Sequence, residues 1–224
     1  MTSRDAILSR IRRNLAESSV ESEPPGRIPL RTLESDDRES LVRMFAEQLE
    51  LVNGVCHRTS SFEAAAEALR AILVDHHVRR IARCGEPMVI DLLERVVGTF
   101  ELFTPESPRP QLLDCDLGLC TATLGIAEHG TIMMTSGQAD LDEARVRLVS
   151  LVPKIHVAVL RAGDLVGTVA EALDRLTGMG DAERRLPPVA TFATGPSRTA
   201  DIEQQLVLGV HGPHSQHVIL LEDG

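Results

Sequence analysis

The chain has 224 residues, of which 43% are hydrophobic and 25% are charged, so it is long enough to bury the core of a globular domain. Its formal net charge is -10 and its pI is near 5.3, and five phenylalanines are its only aromatic side chains of the Phe, Trp and Tyr types. This acidic balance and the shortage of stacking side chains exclude nucleic acid and anionic membrane surfaces as expected partners.

The first segment predicts an amphipathic helix on a tether. Between residues 4 and 17 apolar side chains recur at helical spacing, and most arginines lie off that face. The apolar face consists of Ile7, Leu8, Ile11 and Leu15. Residues 18–38 are rich in Ser, Glu and Pro, which predicts an extended linker. We expect the helix to act as an arm that packs on the main domain or on another subunit.

The sequence predicts a cytoplasmic protein without a membrane span. No apolar run approaches the roughly 18 residues that cross a bilayer, and the N-terminus lacks the apolar core of a signal peptide. The four cysteines, Cys56, Cys84, Cys115 and Cys120, are scattered without a C-x2-C pair. We interpret them as small buried or semi-buried side chains, and we expect this chain to bind no iron–sulfur cluster or other cofactor.

From residue 39 onwards, helical and strand patterns alternate. Helices are predicted at 39–51, 62–74, 87–97, 141–151 and 164–176. Strands are predicted at 54–58, 78–84, 99–103, 116–123, 131–135, 155–160, 189–193 and 217–221. This alternation predicts an α/β domain over residues 39–224, a Rossmann-like three-layer structure with a mostly parallel sheet. Ligands bind such sheets at the carboxyl ends of strands, and we expect the turn after residue 193 to be one such end.

The segment Thr194–Glu203 is the first candidate site. A turn followed by a helix start is predicted from its turn-forming and capping residues, which are Gly195, Pro196, Ser197, Thr199, Asp201 and Glu203. A helix N-terminus leaves N–H groups unpaired, so hydroxyl groups there help to bind a phosphate or carboxylate. The alternative is that Ser197 and Thr199 merely cap the helix while Asp201 and Glu203 offset its dipole.

Glu128 is the second candidate. It precedes a glycine turn, Gly130, and the apolar strand that begins at Thr131, so its carboxylate would be exposed at a bend. Such a carboxylate can serve as base, nucleophile or ligand anchor. The alternative is a solvated turn glutamate.

Three histidines recur at every third residue near the C-terminus, at His211, His214 and His217. This spacing would suit a metal site on a helix. Gly212 and Pro213 argue against a helix there, so we expect no metal and interpret His211 as a polar group beside the Ser197 turn.

Four segments together resemble the LUD-domain family, and the resemblance covers about residues 39–222. They are Gly125-Ile-Ala-Glu-His-Gly-Thr-Ile, Leu151-Val-Pro-Lys-Ile-His-Val, Thr194-Gly-Pro-Ser-Arg-Thr-Ala-Asp-Ile-Glu and Gly209-Val-His-Gly-Pro. The resemblance implies a fold of the type shared with CoA transferases and ribose-5-phosphate isomerase. It also implies that the chain functions with two iron–sulfur partner proteins in a system that oxidises L-lactate to pyruvate. At His129 the family often has Thr, so no hydroxyl-dependent role is expected there.

The family's motif positions carry over to both candidate segments and to the Val-His-Gly-Pro segment. The catalytic candidates are Glu128 and His211, and the ligand-binding candidates are Gly130, Thr131, Gly195, Pro196, Ser197, Thr199, Asp201, Glu203 and Gly212. Pro213 completes the motif. Without a Gly-x-Gly-x-x-Gly or Walker-type loop, the motifs predict no nucleotide.

Three functions are compatible with these residues. The first is a subunit of an L-lactate-oxidising system that binds a small anionic ligand or docks iron–sulfur proteins without carrying electrons itself. The second is an independent transferase or isomerase in which Glu128 acts on a CoA thioester or sugar phosphate, which rests on fold analogy. The third is a scaffolding module that holds a partner through the helix at residues 4–17.

Overall fold

The computed structural model describes residues 3–17, 37–135, 143–179, 186–200 and 206–222. The predicted linker up to residue 36 lies outside these ranges, as do the candidate residues Asp201 and Glu203. The chain divides into two units, Met1–Arg31 and Thr32–Gly224.

The first unit contains one described helix, α1 (Ser3–Glu17). This confirms the helix predicted for residues 4–17, and Ile7, Leu8 and Ile11 on its apolar face are exposed. Within the described residues of the whole chain, no helix is both long enough and apolar enough to cross a membrane.

The second unit alternates helices and strands. Its described helices are α2 (Arg38–Leu51), α3 (Phe62–Asp75), α4 (Pro87–Arg95), α5 (Arg109–Leu113), α6 (Glu143–Leu151) and α7 (Val169–Gly178). Its described strands are β1 (Val55–Thr59), β2 (Arg80–Arg83), β3 (Glu101–Phe103), β4 (Leu117–Thr121), β5 (Leu124–Ile126), β6 (Thr131–Thr135), β7 (Ile155–Arg161), β8 (Leu165–Val166), β9 (Ala190–Ala193), β10 (Arg198–Ala200), β11 (Leu206–Leu208) and β12 (Ser215–Leu221).

Six of these strands form a parallel sheet in the order β1-β12-β7-β4-β2-β3. Helices α3 and α4 pack on one face of it, whereas α2, α5, α6 and a smaller sheet pack on the other. The central strand β7 is buried from Ile155 to Leu160, as expected for a strand covered on both faces. The predicted Rossmann-like three-layer fold with a mostly parallel sheet is therefore confirmed.

The smaller sheet has the order β8-β5-β6-β9, and β9 runs antiparallel to β6. The strand that precedes Thr194 therefore belongs to this sheet and not to the parallel one. The prediction that the turn after residue 193 is a carboxyl end of the parallel sheet is wrong. The partial exposure of β9 distinguishes it from a doubly covered parallel strand.

The predicted helix start at Ser197 is also wrong. Residues 198–200 form β10, which pairs antiparallel with β11. The Ser197 N–H donates to the Pro213 carbonyl (2.9 Å), and the Ser197 carbonyl accepts from the Gly209 N–H (2.8 Å). Because this long-range pairing satisfies the backbone, it overrides the local capping pattern, and Ser197 offers no free helix-terminal N–H group.

Other differences concern element boundaries and an additional helix. The helix predicted from residue 164 begins at Val169, because the Thr168 side chain accepts a hydrogen bond from the Glu171 N–H and caps it there. The last strand begins at Ser215, two residues before the predicted start. Helix α5 occupies the proline-rich connection for which no element was predicted.

Candidate functional site

The parallel sheet reverses its strand order between β2 and β4. The chain leaves β2 towards the edge strand β3, whereas it leaves β4 towards β7 on the other side. Crevices at such reversals, outside the carboxyl ends of the strands, are the usual ligand sites of open α/β sheets. A pocket of about 30 Å³ lies here, and we call it the switch-point pocket. It is lined by Cys84, Glu86, Cys120, Thr121, Met134, Thr135, Arg147, Ser150, Val189 and Thr191.

A larger pocket of about 160 Å³ adjoins it, and we call it the Ser197 pocket. It is lined by Met134, Ser150, Leu151, His156, Ala193, Gly195, Ser197, His211, Gly212, Pro213 and Gln216. Met134 and Ser150 line both pockets. The hydrogen bond from the Ser197 N–H to Pro213 brings the two motif segments together.

Five residues of the predicted motif therefore meet in one pocket, and they are Gly195, Ser197, His211, Gly212 and Pro213. Gly195 has a φ of 73°, and a Cβ atom there would lie 2.4 Å from the Val52 carbonyl oxygen, so the turn requires glycine. The remaining two described members of this motif do not line the pocket, since Pro196 is buried and Thr199 pairs with Val207 in the hairpin.

Glu128 lies elsewhere and lines neither pocket. Its carboxylate accepts a hydrogen bond from the Val169 N–H (2.8 Å), the first residue of α7, and the His129 ring lies 3.5 Å away. A carboxylate at this position accepts a hydrogen bond from an otherwise unpaired N–H group and interacts favourably with the helix dipole. The geometry thus gives Glu128 a capping contact with α7, which neither of the two sequence interpretations included.

Gly130 and Thr131 also have packing contacts. Gly130 has a φ of 58°, and a Cβ atom there would lie 2.2 Å from the Leu49 backbone nitrogen in α2. The hydroxyl of the buried Thr131 forms a hydrogen bond of 2.7 Å with the Thr194 hydroxyl. Neither residue lines the two pockets.

Sequence reasoning missed Gln216, which lines the Ser197 pocket from β12. Its residue surface is 1% exposed, and neither Nε2 nor Oε1 has a hydrogen-bond partner within the described residues. A buried amide without partners costs free energy unless water or a ligand satisfies it. The sequence offers no clear signal for Gln216, because its neighbours Ser215 and His217 in the same strand are also polar.

A buried thiol–imidazole pair contributes one side chain to the wall of each pocket. The Cys120 Sγ lies 3.1 Å from the His156 Nε2, and Cys120 lines the switch-point pocket while His156 lines the other. Burial lowers the pKa of His156 to about 4 and raises the pKa of Cys120 well above its usual value. Both groups are therefore neutral near pH 7, so Cys120 is not an activated thiolate nucleophile.

A family model described as the LUD domain matches residues 42–221, and this match includes both pockets. The chain belongs to the LUD-domain family. The family resemblance predicted from the sequence motifs is thereby confirmed.

Relatives of this LUD domain include proteins called Lactate utilization protein C. The one from Halalkalibacterium halodurans is 27% identical over 83% of this chain and 80% of its own length. The one from Exiguobacterium sp. is 28% identical over 70% of this chain and 67% of its own length. The one from Shouchella clausii is 36% identical, but the match spans only 48% of this chain and 44% of that relative.

A crystal structure of a DUF162 family protein from Deinococcus radiodurans has the same fold. Its TM-score is 0.60 with 21% identity, and the match covers 83% of this chain and 98% of that chain. At this identity the likeness shows the fold of the LUD domain and nothing about its ligands.

The histidines of this LUD domain do not gather as the three-residue spacing would require for a metal. His217 Nδ1 lies 3.1 Å from His57 Nε2, and its Nε2 lies 2.8 Å from the Ser215 hydroxyl. His211 instead lines the Ser197 pocket. Among the described residues, no group of three or more His, Cys, Asp or Glu side chains is placed to hold a metal ion.

The cysteines lie as predicted, since Cys84, Cys115 and Cys120 are buried and Cys56 is half-buried. Burial raises the pKa of the Cys56 thiol to about 12. All four act as small side chains of the packed interior.

Proposed function

We propose that this LUD-domain chain acts in lactate utilisation, as a subunit that binds a small carboxylate in the Ser197 pocket. The name Lactate utilization protein C, carried by relatives that match most of this chain, supports the process. The proposed partners are iron–sulfur proteins that carry the electrons of L-lactate oxidation.

The observation that carries this proposal is the unpartnered Gln216 amide inside a pocket of about 160 Å³. A cavity of roughly 150 Å³ accommodates benzene, and L-lactate has the same number of non-hydrogen atoms. An apolar ligand would leave the amide unsatisfied, whereas a hydroxy acid would satisfy both of its ends.

The polar lining matches the groups of a hydroxy acid. The Gln216 N–H groups can donate to the carboxylate, and its carbonyl oxygen can accept from the ligand hydroxyl. The Ser197 hydroxyl and the His211 imidazole supply two further donors at the same pocket. Hydrogen bonds to a charged ligand contribute roughly twice as much as neutral ones.

This role leaves electron transfer to the partners. Oxidation of lactate to pyruvate releases two electrons and two protons, and the proposal assigns no redox group to this chain. In it, the Ser197 pocket positions the hydroxy acid, and the iron–sulfur clusters of the partner proteins accept the electrons.

The alternative with Glu128 as nucleophile or base finds no support in the geometry. Its carboxylate is engaged by the Val169 N–H, and it lines neither pocket. We therefore do not propose a transferase or isomerase.

The test is lactate-dependent reduction of an artificial electron acceptor by this chain mixed with its iron–sulfur partners. Ser197→Ala and His211→Ala should each lower the rate by about tenfold or more, because each removes a hydrogen bond to a charged ligand. Ser60→Ala and His129→Ala are matched controls at exposed positions and should leave the rate unchanged. Full activity of both pocket variants would contradict the site.

A further inference from the structure

We propose that the switch-point pocket is a second subsite of the same ligand site, which binds hydroxyl groups of a ligand longer than lactate. This inference rests on the proposed function for the first anchor, the carboxylate in the Ser197 pocket. Its own basis is a pair of unsatisfied polar side chains, Glu86 and Thr121, at the strand reversal of the sheet.

Both side chains lack a hydrogen-bond partner that a ligand could supply. The Glu86 Oε2 and the Thr121 hydroxyl are buried, and neither has a hydrogen-bond partner within the described part of the chain. Glu86 stands at the N-cap position of α4, yet its side chain makes no capping hydrogen bond. Burial also raises the pKa of Glu86, and a hydrogen bond with its own backbone offsets only part of this shift. A buried carboxyl group without a hydrogen-bond partner costs stability, so its presence here is better explained by ligand binding than by packing.

The two pockets are placed to share one ligand. Met134 and Ser150 line both, and the Cys120–His156 contact connects their walls. One end of the combined site thus carries the unpartnered Gln216 amide, and the other carries Glu86 and Thr121. The switch-point pocket, at about 30 Å³, has room for hydroxyl groups but not for a ring.

The charges at the switch-point pocket select the chemical class. Glu86 and Arg147 bring opposite charges to the same lining, so either a carboxylate or an ammonium group on the ligand would be repelled by one of them. Neutral hydroxyl groups can donate to Glu86 and exchange hydrogen bonds with Thr121. The ligand class that fits both ends is a polyhydroxylated carboxylic acid.

The test compares the dissociation constants of L-lactate and L-gluconate, which have the same configuration at C2, for the full chain by calorimetry. Gluconate has the same carboxylate and 2-hydroxyl as lactate, followed by a longer hydroxylated chain. We expect gluconate to bind on the order of tenfold more tightly, since about two additional hydrogen bonds form to buried groups. Glu86→Leu and Thr121→Val each remove one of these hydrogen bonds, so each should reduce the gain from about tenfold to about threefold and leave lactate affinity within about twofold.

Glu94→Gln, at an exposed position of α4, is the matched control and should retain the preference. Thermal unfolding adds a readout that separates binding from folding, because replacing an unsatisfied buried carboxyl by an apolar side chain should not lower stability. Lactate binding without a preference for gluconate would overturn the second subsite and leave the proposed function intact. A preference that is undiminished in Glu86→Leu would also overturn it, and failure of both acids to bind would overturn both proposals.

Discussion

Replacing Gly130 by alanine should destabilise the domain by about 3 kcal/mol or more. The residue has a φ of 58°, where an L side chain is strained, and the added Cβ would lie 2.2 Å from the Leu49 nitrogen and 2.6 Å from the Gln48 carbonyl carbon. Because those atoms belong to the backbone of α2, the helix itself would have to shift, and overpacking of this kind costs about 1–3 kcal/mol beyond the backbone strain. Urea unfolding measures the loss.

The matched control is Gly163→Ala. Gly163 has an ordinary φ, and no atom lies within 4 Å of the Cβ that alanine would add. The unfolding free energy of the Gly163→Ala variant should therefore differ from that of the unaltered chain by less than about 0.5 kcal/mol. The same pair of variants distinguishes a packing role from the predicted ligand-binding role of Gly130. A Gly130→Ala variant with unchanged stability and lost lactate binding would contradict the packing role.

Two buried histidines should make the protein lose stability as the pH falls from about 6.5 towards 4. Burial lowers the pKa of His156 and of His217 from 6.5 to about 4, and for His217 the neighbouring His57 contributes in the same direction. Below pH 6.5 the unfolded chain binds protons that the folded state does not bind, so the free energy of unfolding falls. The loss should reach about 2 kcal/mol for each histidine by pH 5 and about 3 kcal/mol by pH 4.

Urea unfolding between pH 7.5 and 5 tests this expectation. The raised pKa of Glu86 acts in the opposite sense, and the lowered pKa of Glu222 contributes only at still lower pH, so a net loss should remain. His156→Gln removes one of the two titrating side chains and should reduce the loss of unfolding free energy accordingly. An unfolding free energy that stays constant down to pH 5 would show that these histidines are accessible to protons in the folded state.

The sequence predicted the parallel sheet because each strand and helix carries its own local pattern. The buried run of β7 and the helical spacing of α3 require no knowledge of distant residues. The antiparallel sheet could not be predicted in the same way, because β9 pairs with β6 across more than fifty residues of chain. Local capping residues around Ser197 then predicted a helix that the β10–β11 pairing replaces.

The candidate site was predicted in part for a similar reason. Ser197 and His211 lie in short motifs, and one backbone hydrogen bond from Ser197 to Pro213 brings those motifs together. Glu128 also stands out in the sequence, but its partner Val169 lies 41 residues away and could not be inferred. The sequence alone does not mark Gln216 as a site residue, because only its burial and its lack of hydrogen-bond partners indicate a ligand there.

The most direct test of the proposed site is calorimetric titration of L-lactate into the full chain and its Gln216→Leu variant. We expect lactate to bind the unaltered chain, and the variant to bind at least tenfold more weakly because it loses the buried amide. The variant should remain folded, since leucine removes two unsatisfied polar atoms from the interior. Gln111→Leu, at an exposed position, should bind as the unaltered chain does. Equal lactate affinity in a folded Gln216→Leu variant, or no lactate binding by the unaltered chain, would contradict the Ser197 pocket as the carboxylate site.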